Sequence, residues 1–403
     1  MLNNFKYSRR SVSCNAVIQS PYYQPKDIEN LENIKDILLD RAPLIKFKEV
    51  QEIKQQLGNL QANNSFILQI GECAETFDQA NLEDVQSRLD LINNFKLILS
   101  KSGKKIITIG RIAGQYSKPR SLHFEQINGV EMPTYKGDMF NDFASTLTSR
   151  NISPNRLLSA YDHSQKTLEL MNTTYKEVFT SHECLNLYYE KGLTRKISDY
   201  PLKAATYNSS AHMLWVGERT RQLDGPHLAY VKEIANPIGV KISSKITDKE
   251  LIQLITLINP LNERGKIILI SRMGVDYIKH LEALVKTVKY HSLKVIWMCD
   301  PMHGNTFIAH NNYKTRAMKS IIKEIEDFNQ IIHKNQEYFG GIHLEATYQN
   351  VTECLANPLD DAASLQLNYL SRCDPRLNYD QSLEIANLIN NLLTLNNYPN
   401  DRH

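Results

Sequence analysis

The chain has 403 residues, 23% of them charged, and its formal net charge at pH 7 is only +3. This length suits one large domain or two ordinary ones, and the small net charge gives no sign of a nucleic-acid-binding protein. No apolar stretch is long enough to cross a bilayer, which argues against a membrane protein. The six cysteines show no paired spacing, so the reducing cytoplasm is the expected location.

Several common sequence signals are missing. The first twenty residues contain basic side chains but no apolar core, so a secretory signal is not expected. The patterns GxxxxGK[ST], GxGxxG and HExxH are also absent. The sequence therefore does not support a P-loop nucleotidase, a standard dinucleotide-binding protein or a zincin protease.

Eight short apolar runs follow a polar stretch that covers residues 1–60. Each run is bounded by polar residues or glycine, which is typical of a buried strand. The predicted strands are Phe66–Ile70, Lys105–Ile109, Glu177–Thr180, Met213–Val216, Ile238–Ile242, Lys266–Ile270, Lys294–Met298 and Phe339–Leu344.

Amphipathic stretches of helical length lie between most of these runs. The exception follows the third run, where Cys184–Ser210 has little helical pattern. Capping residues mark several helix starts, including a proline in the first turn of one helix. The predicted helices include Leu82–Leu99, one opened by Ser153-Pro154, one capped by Thr247, Asn312–Ile332 and Tyr379–Leu393.

Alternating strands and helices indicate an α/β protein with a parallel sheet, and eight such units favour a (β/α)8 TIM barrel. A doubly wound open sheet is the alternative. We expect residues 61–403 to form the barrel. Residues 1–60 form a short N-terminal extension that we expect at a subunit interface.

Every predicted strand leads into charged or metal-ligating groups. In a closed barrel the carboxyl ends of all strands meet on one face, where active sites are built. These groups are Cys73, Arg111, Glu183, Glu218 with Arg219, Lys241, Arg272, Asp300 with His303, and Glu345. Polar residues end most strands, but eight such ends together are hard to explain as solvated loops, and they predict one shared site.

A first subset of these residues suits a metal ion. Cys73, His303, Glu345 and Asp374 offer a thiolate, an imidazole and two carboxylates. This donor set suits one divalent transition ion such as Mn, Co, Fe or Zn, and it does not fix which one. A lone cysteine is more often a small core residue. The prediction therefore depends on the four residues occurring together at the ends of one barrel.

A second subset is cationic and predicts binding of anionic groups. Arginine matches phosphate and carboxylate oxygens with two parallel hydrogen bonds. Ordinary ion pairs are the alternative for about half of these residues, since charged side chains commonly pair. The set is Arg111, Lys118, Arg120, Arg219, Lys241 and Arg272, with Lys314, Arg316 and Arg376 nearby. A metal beside two anionic groups suggests a phosphorylated small-molecule substrate.

A cysteine next to a predicted ligand raises a separate hypothesis. Cys373 directly precedes Asp374, so its thiol is expected close to Cys73. Without metal, the two thiols are candidates for a disulfide that blocks the site. A buried, unreactive Cys373 is the alternative.

Ten segments in order resemble type II 3-deoxy-D-arabino-heptulosonate 7-phosphate (DAHP) synthases. The resemblance spans residues 60–395 and departs from the usual first motif at Ile70 and Glu72, where members often have Gly and Asp. The segments are GECAETF, GRIAGQYSKPRS, YKGDMFN, SHECLNLYYE, LWVGERTRQLDGPH, IANPIGVKIS, NPLNERGKIILISRMG, CDPMHGNTFIAHNNYKTR, GGIHLEATYQNVTECL and CDPRLNYDQSLE.

The resemblance implies a (β/α)8 barrel enzyme that condenses phosphoenolpyruvate with D-erythrose 4-phosphate and water. The products are DAHP and phosphate, the first step of the shikimate pathway to chorismate and the aromatic amino acids. Short members often serve secondary routes such as phenazine or antibiotic synthesis. An aminoDAHP synthase that uses an aminated sugar phosphate is the first alternative, and a non-catalytic partner that binds phosphometabolites is the second. A homodimer or larger homo-oligomer is expected, without nucleic acid or membrane partners.

The resemblance also assigns roles to individual residues. It places the metal on Cys73, His303, Glu345 and Asp374. It implies proton transfer by Lys241 or Glu183, a choice the sequence leaves open, with Arg272 also in the catalytic set. The implied phosphoenolpyruvate contacts are Arg111, Glu218 with its adjoining backbone, Arg219, Lys241 and Arg272. The implied sugar-phosphate contacts are Lys118, Arg120 and Ser121.

Overall fold

A computed structural model of the protein describes residues 23–120, 122–127, 129–174, 177–197, 205–360 and 362–397. Eight parallel strands close into a barrel in which each strand pairs with its neighbours in the chain and the last pairs with the first. The predicted (β/α)8 barrel is thus confirmed, and the open sheet is excluded. The strands are β1 (Ser65–Gly71), β2 (Lys105–Arg111), β3 (Phe179–Glu183), β4 (Met213–Val216), β5 (Ile238–Ile242), β6 (Ile267–Ser271), β7 (Ile296–Cys299) and β8 (Phe339–Glu345).

Helices surround the barrel and connect its strands. They are α1 (Ile28–Asp40), α2 (Phe47–Gly58), α3 (Leu82–Ser100), α4 (Leu147–Arg150), α5 (Arg156–Thr174), α6 (Leu187–Gly192), α7 (Pro226–Val231), α8 (Asp248–Ile258), α9 (His280–Tyr290), α10 (Met318–Lys334) and α11 (Tyr379–Asn397). Among the described residues, three short hairpins lie outside the barrel. They pair Phe124–Ile127 with Val130–Pro133, Thr194–Ile197 with Ala205–Asn208, and Phe307–Ile308 with Lys314–Thr315.

Local capping explains where several helices start. The Thr247 side chain accepts a hydrogen bond from the Glu250 backbone N–H at the start of α8, as the sequence predicts. Helix α10 begins six residues later than predicted, because Lys314 and Thr315 pair in a hairpin before it.

The third strand lies further along the chain than predicted. It continues through Ser181, His182 and Glu183, which the sequence suggested would follow the strand. All three side chains are buried, so this strand end is polar and yet inside the barrel wall. In the described part of the next connection, residues 184–197 and 205–212, the structure has the six-residue α6 and a hairpin, which explains the weak helical pattern.

Strand alternation divides the core into two layers. Side chains such as Ile67, Ile107, Ile268 and Met298 fill the barrel interior, where Ile53, Leu57 and Leu60 of the α2 region join them. The side chains that alternate with these along each strand face outward and pack against the surrounding helices. Helix α2 therefore closes the amino end of the barrel, and the polar site is left to the carboxyl end.

Helix α1 lies against α6 and α5 on the outside of the barrel. The Arg195 guanidinium donates to the Leu38 and Arg41 carbonyls at 3.0 and 2.8 Å, which ties the end of α1 to the hairpin after α6. A subunit interface at residues 1–60 stays a prediction. Among the described residues, none of the helices combines the length and apolar composition that a membrane crossing needs.

Candidate active site

The four predicted metal ligands lie together at the carboxyl end of the barrel. Cys73 follows β1, His303 follows β7, Glu345 ends β8, and Asp374 lies in the loop before α11. The ligating atoms of Cys73, Glu345 and Asp374 lie within 4.8 Å of one another. His303 Nε2 lies 3.0 Å from Glu345 Oε1, and the Asp374 N–H donates to Cys73 Sγ at 3.2 Å.

A protein cation lies among these donors. The Lys118 ammonium is 2.8 Å from both Glu345 Oε1 and Asp374 Oδ2, and 3.4 Å from His303 Nε2. The donors thus converge on a point that already attracts positive charge. One sulfur, one imidazole nitrogen and two carboxylates are a donor set that suits a borderline divalent ion, so the residues present fit a metal of this kind.

Electrostatics keep the two carboxylates of the cluster charged. Burial opposes ionisation of Glu345, but His303, Lys118 and Arg316 outweigh it and hold the pKa of this carboxyl well below its usual range. The pKa of Asp374 is also held well below its usual range, because Lys118 overcomes the effect of burial. Burial raises the pKa of the Cys73 thiol well above its ordinary value. A bound cation would therefore be needed to favour the thiolate.

Asp300 orients the predicted imidazole ligand, a role that the sequence analysis did not assign. Its Oδ2 lies 2.8 Å from His303 Nδ1, and its Oδ1 accepts the Met302 and His303 backbone N–H groups at 3.1 and 3.2 Å. Because a carboxylate can only accept, Asp300 favours the tautomer that carries its proton on Nδ1, which would leave the Nε2 lone pair to a bound ion.

Two of the predicted anion-binding residues line the floor of the site. The Arg111 guanidinium lies 5.1 Å from the centre of the Trp215 ring, and the Lys241 ammonium lies 5.9 Å from it. Lys241 Nζ is also 3.2 Å from Asp300 Oδ2. Burial lowers the pKa of Lys241 to about 8. On the rim, Arg272 donates to the His303 carbonyl at 2.9 Å.

Two residues inside the strands, neither of them predicted from the sequence, hold Arg111 in place. His343 Nε2 accepts from the Arg111 guanidinium at 2.5 Å, so its Nδ1 carries the proton and donates to Gln69 Oε1 at 2.7 Å. Gln69 in turn donates to Ser181 Oγ at 2.9 Å. The sequence signal for both residues was that each is a single polar residue within an apolar run, Gln69 in the first predicted strand and His343 in the last.

Glu183 is buried at the end of β3, and its Oε1 has no hydrogen-bond partner among the described residues. Burial raises the pKa of this carboxyl, although Lys241, Lys118 and Arg111 act against the rise. Gly217 lies so close that an added Cβ would be 2.2 Å from Glu183 Oε1. The glycine therefore leaves space for a buried carboxyl that faces the cationic floor.

Glu218 and Arg219 follow β4 at the rim of the barrel. Glu218 Oε1 accepts from Arg221 and from Ser243 Oγ, each at 2.8 Å, so this side chain contacts its neighbours in the protein. Arg219 is exposed. The two residues thus differ in surroundings, although the sequence analysis placed both in one substrate-binding set.

The predicted sugar-phosphate residues extend from Lys118. Arg120 is half-buried and lies within electrostatic reach of Cys373 and Asp374. Ser121 lies outside the described residues, so its predicted role stays a prediction.

Two of the nearby cations are held in buried ion pairs. Arg316 is fully buried and lies 2.7 Å from Glu345 Oε2. Arg376 bridges Glu353 and Glu72 at 2.6 and 2.7 Å. Ordinary ion pairs are the alternative that the sequence leaves open for these cations, and the structure shows such pairs here.

The fold and the site define a (β/α)8-barrel protein whose carboxyl face gathers metal-ligating donors beside buried cations. The model of the class-II DAHP synthetase family matches residues 7–176 and 171–390. The chain belongs to the class-II DAHP synthetase family. The predicted family and enzyme class are therefore confirmed.

Individual relatives agree with this assignment. The chain is 35% identical over 441 residues to a phospho-2-dehydro-3-deoxyheptonate aldolase from Neurospora crassa, with 92% of this chain and 91% of the relative covered. It is 32% identical over 434 residues to one from Mycolicibacterium smegmatis, covering 93% and 92%. A solved aldolase of the same name from Francisella tularensis superimposes with a TM-score of 0.56 at 16% identity, covering 90% and 96%, and supports the fold alone.

Proposed function

We propose that the protein condenses phosphoenolpyruvate with D-erythrose 4-phosphate and water to give DAHP and phosphate, using one divalent ion. The observation that carries the proposal is the convergence of Cys73, His303, Glu345 and Asp374 around the Lys118 ammonium. These four residues would hold the ion. When bound, it would act as a Lewis acid on the aldehyde oxygen of the sugar phosphate.

The buried cations would hold phosphoenolpyruvate over the barrel floor. Arg111 is rigidly placed, because it donates to the Glu72 carbonyl at 2.9 Å, the Cys73 carbonyl at 3.1 Å and Glu345 at 2.9 Å, in addition to His343. Arg111, Lys241 and Arg272 would together form a positive site, in which the position of Arg111 is fixed before the substrate arrives. Positioning and preorganised charge are large terms in catalysis of this kind.

The reaction would then proceed between two oriented substrates. C3 of phosphoenolpyruvate attacks the aldehyde carbon, water adds to C2, and the resulting phosphohemiketal loses phosphate. Lys241 and Glu183 are the two candidates for proton transfer. Both are buried at the floor, with the pKa of Lys241 lowered to about 8 and that of Glu183 raised by burial.

Lys118 and Arg120 would hold the phosphate of the sugar substrate. We expect Arg120→Met to raise the KM for erythrose 4-phosphate at least tenfold, because a charge-assisted hydrogen bond contributes about 1.5–3 kcal/mol. The KM for phosphoenolpyruvate should change less than about twofold, because the substitution removes none of its proposed contacts and so leaves its binding free energy nearly unchanged. Lys323→Met, at an exposed helix position, is the matched control. Equal rises in both constants would contradict the assignment.

The proposed reaction is tested by following phosphate release from both substrates, with EDTA and after Mn²⁺ or Co²⁺ is restored. We expect activity to disappear with the chelator and to return with either ion. Undiminished turnover in excess EDTA would rule out the metal role. If erythrose 4-phosphate is not turned over at all, the aminated sugar phosphate is the substrate to try next.

A further inference from the structure

A cavity of about 280 Å³ lies beside the predicted metal ligand Cys73 and is lined in part by the loop after β1. Cys73 is the only one of the four ligands that lines it. Cys73 therefore belongs both to the donor cluster and to the wall of this cavity, the side cavity.

The side cavity differs in charge from the face where the substrate cations lie. Glu72, Asp78 and Asp84 all line it. Two arginines also line the side cavity and add positive charge to it. Arg372 lies 3.7 Å from Asp78 Oδ2, while Arg376 is already paired with Glu72 and Glu353. Since Arg376 pairs with Glu72 and Arg372 lies beside Asp78, the third carboxylate leaves the lining with a net negative charge, which attracts a divalent cation.

Glu72 has a free buried oxygen that can bind such an ion. The residue is 1% exposed, and its Oε2 accepts from Arg376 at 2.7 Å. Its Oε1 has no hydrogen-bond partner in the part of the chain that the structure describes. Unpaired buried carboxylate oxygens are rare and call for an explanation, and an ion ligand is one.

A thiol links the side cavity to the donor cluster. Cys373 is half-buried, lines the side cavity and shares a hydrogen bond with the Cys73 thiol. An ion held by Glu72 and Cys373 would therefore lie next to Cys73. Sulfur and carboxylate ligands together suit the same borderline ions as the cluster itself.

We propose that the side cavity is the uptake route of the metal: Glu72 and Cys373 hold an incoming divalent ion and pass it to Cys73. This inference rests on the metal site proposed above. Each thiol releases its proton to water as it binds the ion, and Cys373 regains one from water when the ion moves on. No electron is transferred, and the substrates keep the opposite face of the cluster.

The test measures the rate at which reduced, metal-free protein takes up Co²⁺, followed by stopped-flow absorption of the cobalt–thiolate band. We expect Glu72→Gln and Cys373→Ser to slow uptake at least fivefold, with the band at saturating Co²⁺ unchanged in amplitude. Arg372→Gln removes a cation from the side cavity and should speed uptake at least twofold. Asp276→Asn removes an exposed carboxylate outside the side cavity and should leave the rate unchanged.

The outcomes separate the two proposals. If all variants take up Co²⁺ at the wild-type rate, the ion enters elsewhere and the side cavity has no such role. If the wild-type protein itself shows no cobalt–thiolate band, the proposed metal site is wrong, and the proposed uptake route, which depends on that site, is wrong as well. The Arg372→Gln variant controls for misfolding, because a misfolded protein would not take up Co²⁺ faster than the wild type.

Discussion

Replacing Cys73 with serine should abolish the cobalt–thiolate band and lower phosphate release about 1,000-fold, since a bound Lewis acid contributes several kcal/mol. Serine keeps the size of the side chain but not a thiolate, and its neutral hydroxyl is a poor ligand for a borderline ion. The measurements are metal content, the absorption band and turnover with saturating substrates.

Cys373→Ser is the matched control for this prediction. It changes the same chemical group in a residue that contacts Cys73 but is not one of the four ligands. After equilibration with excess Co²⁺, this variant should keep the band that Cys73→Ser lacks. A Cys73→Ser protein that retains full, chelator-sensitive turnover would show that the sulfur is not a ligand.

Much of the barrel was predictable because its strands are dense apolar runs. Runs such as Ile238–Ile242 and Met213–Val216 match the structure at both ends. The less accurate boundaries are those where a strand continues into polar residues, as β3 does through Ser181, His182 and Glu183. These side chains are buried by the closure of the barrel, which is a tertiary effect that local patterns do not contain.

The positions of candidate site residues just beyond a strand, such as His303 and Arg272, were predictable from the sequence. The same was not true of Gln69 and His343, which lie within strands. Their importance arises from contacts across the barrel to Arg111 and Ser181, and these depend on which strands become neighbours. Cross-barrel contacts of this kind follow from strand register rather than from local sequence.

The same limit explains why the cations were hard to divide into anion binders and ion pairs. Arg376 and Lys241 look alike in the sequence, as basic residues near predicted strand or loop ends. Arg376 pairs with Glu353 from the preceding loop and with Glu72 at the other end of the chain. A partner 304 positions away has no local signature, so only the fold shows that this guanidinium is already satisfied.

Arg376→Met should lower the free energy of unfolding by about 3–5 kcal/mol, the usual effect of removing one partner from a buried ion pair. Glu353 is fully buried, and the substitution leaves its carboxylate without its cation. Urea unfolding is the measurement. Lys286→Met removes an exposed pair with Glu282 and should change stability by less than about 1 kcal/mol. A loss for Arg376→Met no larger than this control would contradict the prediction.

A second variant distinguishes a simple ion pair from an anchor of the loop that carries Asp374. Glu353 also accepts the backbone N–H groups of Leu370, Ser371 and Arg376, at 3.1, 2.7 and 2.7 Å. Replacing a buried pair with apolar residues often restores stability, but here Glu353→Leu would leave three backbone donors without their acceptor, and the Arg376 N–H among them is buried. The double variant Glu353→Leu with Arg376→Met should therefore be no more stable than Arg376→Met alone. If the double variant recovers stability, Glu353 acts only as the ion-pair partner of Arg376 and does not anchor the loop.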